Sequence, residues 1–249
     1  MNLISMNHGS LILLILLVII SGCSSIEGFF RDDEHQKVEE PSMKNRVLVV
    51  HGLFRTHRAM RPLVKPIQNA GYEVLEYRYP TTQLKVEDHA EDLRKYLLQL
   101  VEEDPDRSLR LVGHSLGAVI SVMATTPAIP GIDRVLQISP PNQGSPVADR
   151  FEGMFGKFIA PLKELSASTG GPLPSGDIPG TPTGVIAAES DQLVPISCTQ
   201  LRGSVDHIQL PGTHTFVFWR DKTQKEIIYF LDHGRFSETA TRVTVDQES

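Results

Sequence analysis

The chain has 249 residues, 40% of them hydrophobic, enough to enclose one good-sized core, so a single domain is the default. Its net charge of −6 and its scattered Lys and Arg residues argue against nucleic acid as a partner, because no basic stripe is present to neutralise phosphates. Its two cysteines, Cys23 and Cys198, can make neither a disulfide framework nor a Cys-based metal site, so stability has to come from the core.

Leu11–Ile20 (LILLILLVII) is an uninterrupted apolar decad. It is short for a membrane span and the right length for the core of a signal peptide. Ile20-Ser-Gly-Cys23 follows, and this pattern resembles the lipobox of bacterial lipoproteins. The resemblance implies that residues 1–22 are removed and that Cys23 carries a diacylglyceryl group anchoring the chain in a membrane. Ser24 at the next position resembles outer-membrane sorting within the cell envelope. Met1–Ser10 contains no Lys or Arg, a departure from the usual basic start. Residues 23–45 are polar and without sustained period, which predicts a tether.

From Arg46 to Phe236 the pattern alternates between strand and helix. Val47–Val50 is a wholly apolar strand, of the kind buried on both faces of a parallel sheet. A helix over Ala59–Ala70 stops at Gly71, and Tyr72–Tyr77 is the next strand. Val86–Val101 places Ala90, Leu93, Leu97 and Leu100 at helical spacing. Leu109–Val112 is a strand, Leu116–Ala124 a helix and Val135–Ile138 a strand. Gly184–Ala188 and Ile208–Leu210 are the last two strands, and Glu226–Leu231 belongs to a closing helix. This rhythm predicts an α/β fold, a mostly parallel central sheet with helices on both faces. Residues 140–182 interrupt it as a long excursion, expected to form a cap with one helix over Arg150–Leu165. Residues 237–249 are polar and expected to fray.

In Gly113-His-Ser-Leu-Gly117 a serine between two glycines ends an apolar strand and opens an apolar helix, the context of a nucleophile elbow. A serine merely capping that helix is the alternative. A serine nucleophile needs a base held by a carboxylate, and in elbow-built hydrolases the chain order is Ser, acid, His. His214 lies just after the last strand and before a helix; the other eight histidines are early, in the leader, at the wrong end of a strand or beyond the last helix. His51 reads as a structural residue of its loop. Asp191, followed by Gln-Leu-Val-Pro195, is the favoured acid, with Glu189 as the alternative. The oxyanion hole needs two backbone N–H groups. Leu116 supplies one, and Leu53, in Val50-His-Gly-Leu-Phe54, the other, with Phe54 as its near alternative.

These segments together resemble the bacterial lipase and esterase branch of the α/β-hydrolase family: VLVVHGLFRT, GYEVLEYRYP, LVGHSLGAVI, SPPNQGSPVAD, the D-x-x-V-P segment and LPGTHTF. The resemblance implies an α/β-hydrolase fold with a cap, introduced by the turn Pro141–Ser145. It implies Ser115, Asp191 and His214 as triad, Leu53 and Leu116 at the oxyanion hole, and neither metal nor organic cofactor. A lipid or other carboxylic ester is the expected substrate. A thioesterase, an amidase or an acyltransferase would share the same motifs, and a silent surface-binding lipoprotein is the non-enzymatic alternative. Phe54, Met154, Phe155 and Phe158 are candidates for an acyl pocket, and medium-chain esters the expected preference.

Overall fold

The computed structural model describes residues 44–156, 158–173 and 179–244. The expected signal segment, Cys23 and most of the tether therefore lie outside the described residues, as do residues 245–249 of the tail. Seven strands form one sheet in the order β2-β1-β3-β4-β5-β6-β7. They are β1 (Lys44–Val50), β2 (Tyr72–Tyr77), β3 (Leu109–His114), β4 (Ile132–Ile138), β5 (Thr183–Ala188), β6 (Asp206–Leu210) and β7 (Thr241–Arg242). The first six pair in parallel, and β7 alone is antiparallel, on β6.

The described residues form five α-helices, α1 (Arg61–Asn69), α2 (Val86–Glu103), α3 (Leu116–Ala124), α4 (Pro146–Phe155) and α5 (Asp221–His233), of which α4 lies in the cap segment. The alternation of side chains along each strand divides the core in two. Leu48, Val50 and Leu111 meet Leu93, Leu97, Val119 and Ile120 of α2 and α3 on one face. Val47, Val49 and Val112 meet Leu63 and Ile67 of α1 and Ile227, Phe230 and Leu231 of α5 on the other. Helices thus cover both faces, which is why the strands read as unbroken apolar runs. Among the described residues no helix is long and apolar enough to cross a membrane.

Two expectations change. Residues 237–244, read as a polar tail, instead run along the sheet edge: Val243 donates to the His207 carbonyl at 2.9 Å, and Arg242 pairs with Asp206 at 3.0 Å. The helix expected over Arg150–Leu165 begins earlier, at Pro146, and ends by Gly156. Ser145 caps it, accepting from the Val147 and Ala148 N–H groups at 3.2 and 3.3 Å, with proline in the first turn. Beyond Gly156 the described residues of the cap form short 3-10 turns, Ala160–Leu162 and Ala167–Thr169, in place of a continued α-helix.

Candidate active site

The site forms at the carboxyl ends of β1, β3, β5 and β6. β3 ends at His114, and Ser115 turns the chain into α3 with φ 54° and ψ −125°, a left-handed conformation rare outside glycine. The turn is tight enough to dictate its neighbours. A Cβ on Gly117 would lie 2.4 Å from the Val50 and His51 carbonyl oxygens, and one on Gly113 would lie 2.5 Å from the Ala118 Cα. The Ser115 N–H donates to the Ile138 carbonyl at 3.0 Å, and its own carbonyl accepts from Ala118 at 2.9 Å. The Ser115 hydroxyl does not cap α3. It is directed instead to the imidazole of His214, with Oγ 3.0 Å from Nε2.

His214 follows β6, and its Nδ1 lies 2.7 Å from Asp191 Oδ2, a carboxylate wholly removed from solvent. The second carboxylate oxygen accepts from the Leu193 and Val194 N–H groups at 2.9 and 2.8 Å. Because the carboxylate accepts at Nδ1, the neutral ring carries its proton there and leaves Nε2 as the acceptor facing Ser115. Glu189, the alternative acid, is exposed and lines a separate cavity with Pro211, Thr213 and Arg220. Sequence order left both carboxylates open; the structure brings only Asp191 to His214.

The loop after β1 is held by the segment after β2. The Tyr79 hydroxyl donates to the His51 carbonyl at 2.6 Å, and its ring stacks on His51 at 4.6 Å. Burial pushes the Tyr79 phenol up, so it remains a donor. Thr81 Oγ1 accepts the Phe54 N–H at 3.1 Å, which occupies that donor. The Leu53 N–H makes no hydrogen bond among the described residues. Leu116 is the first residue of α3, where an N–H has no partner within the helix. Gly52 permits the approach: a Cβ there would lie 2.9 Å from that of Ser115. His51, as expected, stays within its loop, with Nδ1 3.2 Å from the Gly52 carbonyl oxygen.

His114 is a site residue that the sequence reading passed over. Its Nε2 donates to the His214 carbonyl at 2.8 Å, and its ring packs against those of His214 and Phe218. Complete burial, reinforced by neighbouring His214, pushes it down to about 3, so it is neutral and fixes the loop that carries His214. The available signal was its position, the last residue of a buried strand directly before the serine.

A cavity of about 600 Å³ opens over Ser115 and His214. Its apolar wall comes from the cap and the acid loop: Val147, Ala148, Phe151, Ile159, Leu162, Leu165, Leu193 and Val194, joined by Leu53 and Phe54. Phe158, expected in the same wall, is 80% exposed and outside it. The side chains of Met154 and Phe155 fall outside the described residues. Two polar ties hold the cap in register. Asn142 and Gln137 exchange amide hydrogen bonds at 2.9 and 3.0 Å, and Gln137 reaches the Ala118 carbonyl of α3 at 3.0 Å. Ser145 Oγ donates to the Leu193 carbonyl at 2.6 Å, joining the start of α4 to the acid loop.

The family model Lipase (class 3) matches residues 18–130, a span that includes Leu53, Ser115 and Leu116. The lipase BlEst2 of Bacillus licheniformis in its propeptide form superposes with a TM-score of 0.62 at 15% identity, covering 82% of this chain and 53% of that one. This chain therefore spans about half of that form. The mature form gives a TM-score of 0.61 at 16% identity, over 77% of this chain and 92% of that one. MGS-MChE2, an α/β hydrolase enzyme from the metagenome of lagoon sediments at Mar Chica, Morocco, gives 0.56 at 18% identity, over 77% and 92%. The fold is that of an α/β-hydrolase. No curated relative matches the chain in sequence. The likeness to the lipase family model is confined to residues 18–130, and the solved neighbours, all below 25% identity, bear on the fold.

Two buried histidines of this chain set a pH dependence. His114 is pushed down to about 3 and His207 to about 4, both chiefly by burial, whereas each titrates near 6.5 when unfolded. Below pH 6.5 the unfolded chain therefore binds protons that the folded chain refuses, and stability falls as the pH drops toward 4 and then 3. His114→Gln, which keeps a donor, should flatten that fall by about one proton, roughly 1.4 kcal/mol per pH unit, in urea unfolding between pH 6.5 and 4.

Proposed function

We propose that the chain is a serine hydrolase of carboxylic esters, working through Ser115, His214 and Asp191 with an acyl-enzyme intermediate. The observation that carries this reading is the continuous line from Ser115 Oγ to His214 Nε2 at 3.0 Å and from His214 Nδ1 to Asp191 at 2.7 Å, at the floor of an apolar cavity. Ser115 Oγ attacks the ester carbonyl carbon while Nε2 takes its proton. Asp191 keeps the ring in the required tautomer and stabilises the imidazolium that forms. The N–H groups of Leu53 and Leu116 receive the negative charge that develops on the carbonyl oxygen. The imidazolium then protonates the departing alcohol oxygen and the C–O bond breaks. Water, deprotonated by His214, releases the acid and restores Ser115.

The apolar wall supports an acyl chain rather than a peptide as the group held. Each methylene buried there contributes roughly 0.8 kcal/mol, about fourfold in kcat/KM when the gain is realised in the transition state. We also propose attachment to a membrane of the bacterial cell envelope, the outer membrane from Ser24, through a lipidated Cys23. The lipobox-like Ile20-Ser-Gly-Cys23 supports this, and a diacylglyceryl group supplies the two chains that stable anchoring needs.

Three outcomes are expected. Ser115→Ala and His214→Ala abolish ester hydrolysis with urea stability retained, and Asp191→Asn lowers kcat on the order of 10⁴-fold; a fully active Asp191→Asn beside an inactive Glu189→Gln would transfer the acid to Glu189. In a series of p-nitrophenyl esters, Phe151→Asp depresses octanoate turnover more than acetate turnover, and equal losses would remove the acyl wall. Cys23→Ser stops processing and leaves the protein out of the membrane fraction, whereas unchanged cutting and membrane attachment would refute the anchor.

A further inference from the structure

The cavity over Ser115 is asymmetric in its chemistry. On the cap side it is hydrocarbon, with Val147, Phe151, Ile159 and Leu162 on its wall. Arg55, an exposed side chain, also lines it and is the one permanently charged residue among the described lining residues. Arg55 Nη2 donates to Thr215 Oγ1 at 3.1 Å, so the guanidinium bridges the loop carrying Leu53 and the loop carrying His214. The chain brings these loops together from positions 160 residues apart.

Among the described residues Arg55 has no carboxylate partner, which it shares with other surface arginines such as Arg58 and Arg78, but it alone of them lines the cavity. The nearby buried carboxylate, Asp191, is committed to His214 and to two backbone N–H groups. A guanidinium presents five N–H donors in a fixed fork, and the Thr215 contact uses only part of that capacity.

The location decides which half of a substrate meets this charge. His214 Nε2 protonates the departing alcohol oxygen, so the alcohol leaves beside His214 and Thr215, while the acyl chain lies against the apolar wall. We propose that Arg55 binds an anionic phosphate group on the alcohol, and that the substrate class is the acyl ester of a phosphorylated alcohol. This deepens the ester-hydrolase reading above and rests on it. The phosphate is untouched: the acyl C–O bond breaks, the phosphorylated alcohol leaves with the proton from His214, and water yields the free acid from acyl-Ser115. Arginine suits this task because its fork matches phosphate oxygens two at a time.

The test is kcat/KM of the purified full-length protein for octanoyl-glycerol 3-phosphate and for monooctanoylglycerol, each below its micellar concentration. The unmodified protein should favour the phosphate ester by about tenfold, the low end for hydrogen bonds to a charged group at an open site. Raising the ionic strength should shrink that preference. Arg55→Gln should lower the ratio of the two efficiencies about tenfold, and Arg55→Lys should restore part of it. Equal efficiencies in the unmodified protein, or a ratio unchanged in Arg55→Gln, would overturn the proposal. If neither ester is cleaved while a fluorophosphonate still labels Ser115, the substrate class alone is refuted. If labelling fails as well, the ester-hydrolase reading falls with it.

Discussion

The backbone conformation of Ser115 is the constraint on which the site depends, because it aims a side chain out of a closely packed sheet without breaking strand pairing. A non-glycine residue in such a conformation costs on the order of 1–3 kcal/mol. The surroundings offset it: the Ser115 N–H is bonded to Ile138, and α3 is buried along nearly its whole length. The same turn removes side chains at Gly113 and Gly117 and presses Gly52 against Ser115, so two loops from separate parts of the chain are packed to one geometry. In the proposed mechanism this rigidity serves catalysis, since a preorganised donor array does not have to reorganise when charge develops.

Around that turn, supports that take no part in the proposed chemistry hold the groups that do. Tyr79 and Thr81 fix the loop of Leu53, His114 fixes the loop of His214, and the Leu193 and Val194 N–H groups fix Asp191. The cap joins the same framework through Ser145 and Leu193. The wall against which an acyl chain would lie is therefore continuous with the loop that orients the acid. Arg55 and Thr215, which also line the cavity, belong instead to the loops that follow β1 and β6.

Much of this was legible in the sequence because some features are over-determined. Apolar runs at strand length, separated by helical periods, imply the parallel sheet, and Gly113 and Gly117 around Ser115 admit few structures other than a sharp strand-to-helix turn. Position after the last parallel strand singled out His214 among nine histidines. The misread parts depend on partners distant in sequence. A two-residue edge strand such as β7 has no period to detect, and it exists because β6 offers a free edge and Asp206 a partner for Arg242. The cap helix was displaced because apolar spacing continues past Gly156, whereas the cap signal, Ser145-Pro146, lies upstream. His114 looked like an inert neighbour of the serine because its role comes from a contact with the carbonyl of a residue a hundred positions later.

The most direct test of the central claim is to trap the acyl-enzyme itself. The protein would be mixed with p-nitrophenyl octanoate, quenched in acid within the first turnovers, digested, and the peptide containing Ser115 weighed by mass spectrometry. The account predicts an octanoyl adduct on Ser115 that forms within the burst and decays with turnover, and that is absent in Ser115→Ala. Steady hydrolysis with no adduct on Ser115, or an adduct on another residue at full occupancy, would contradict it.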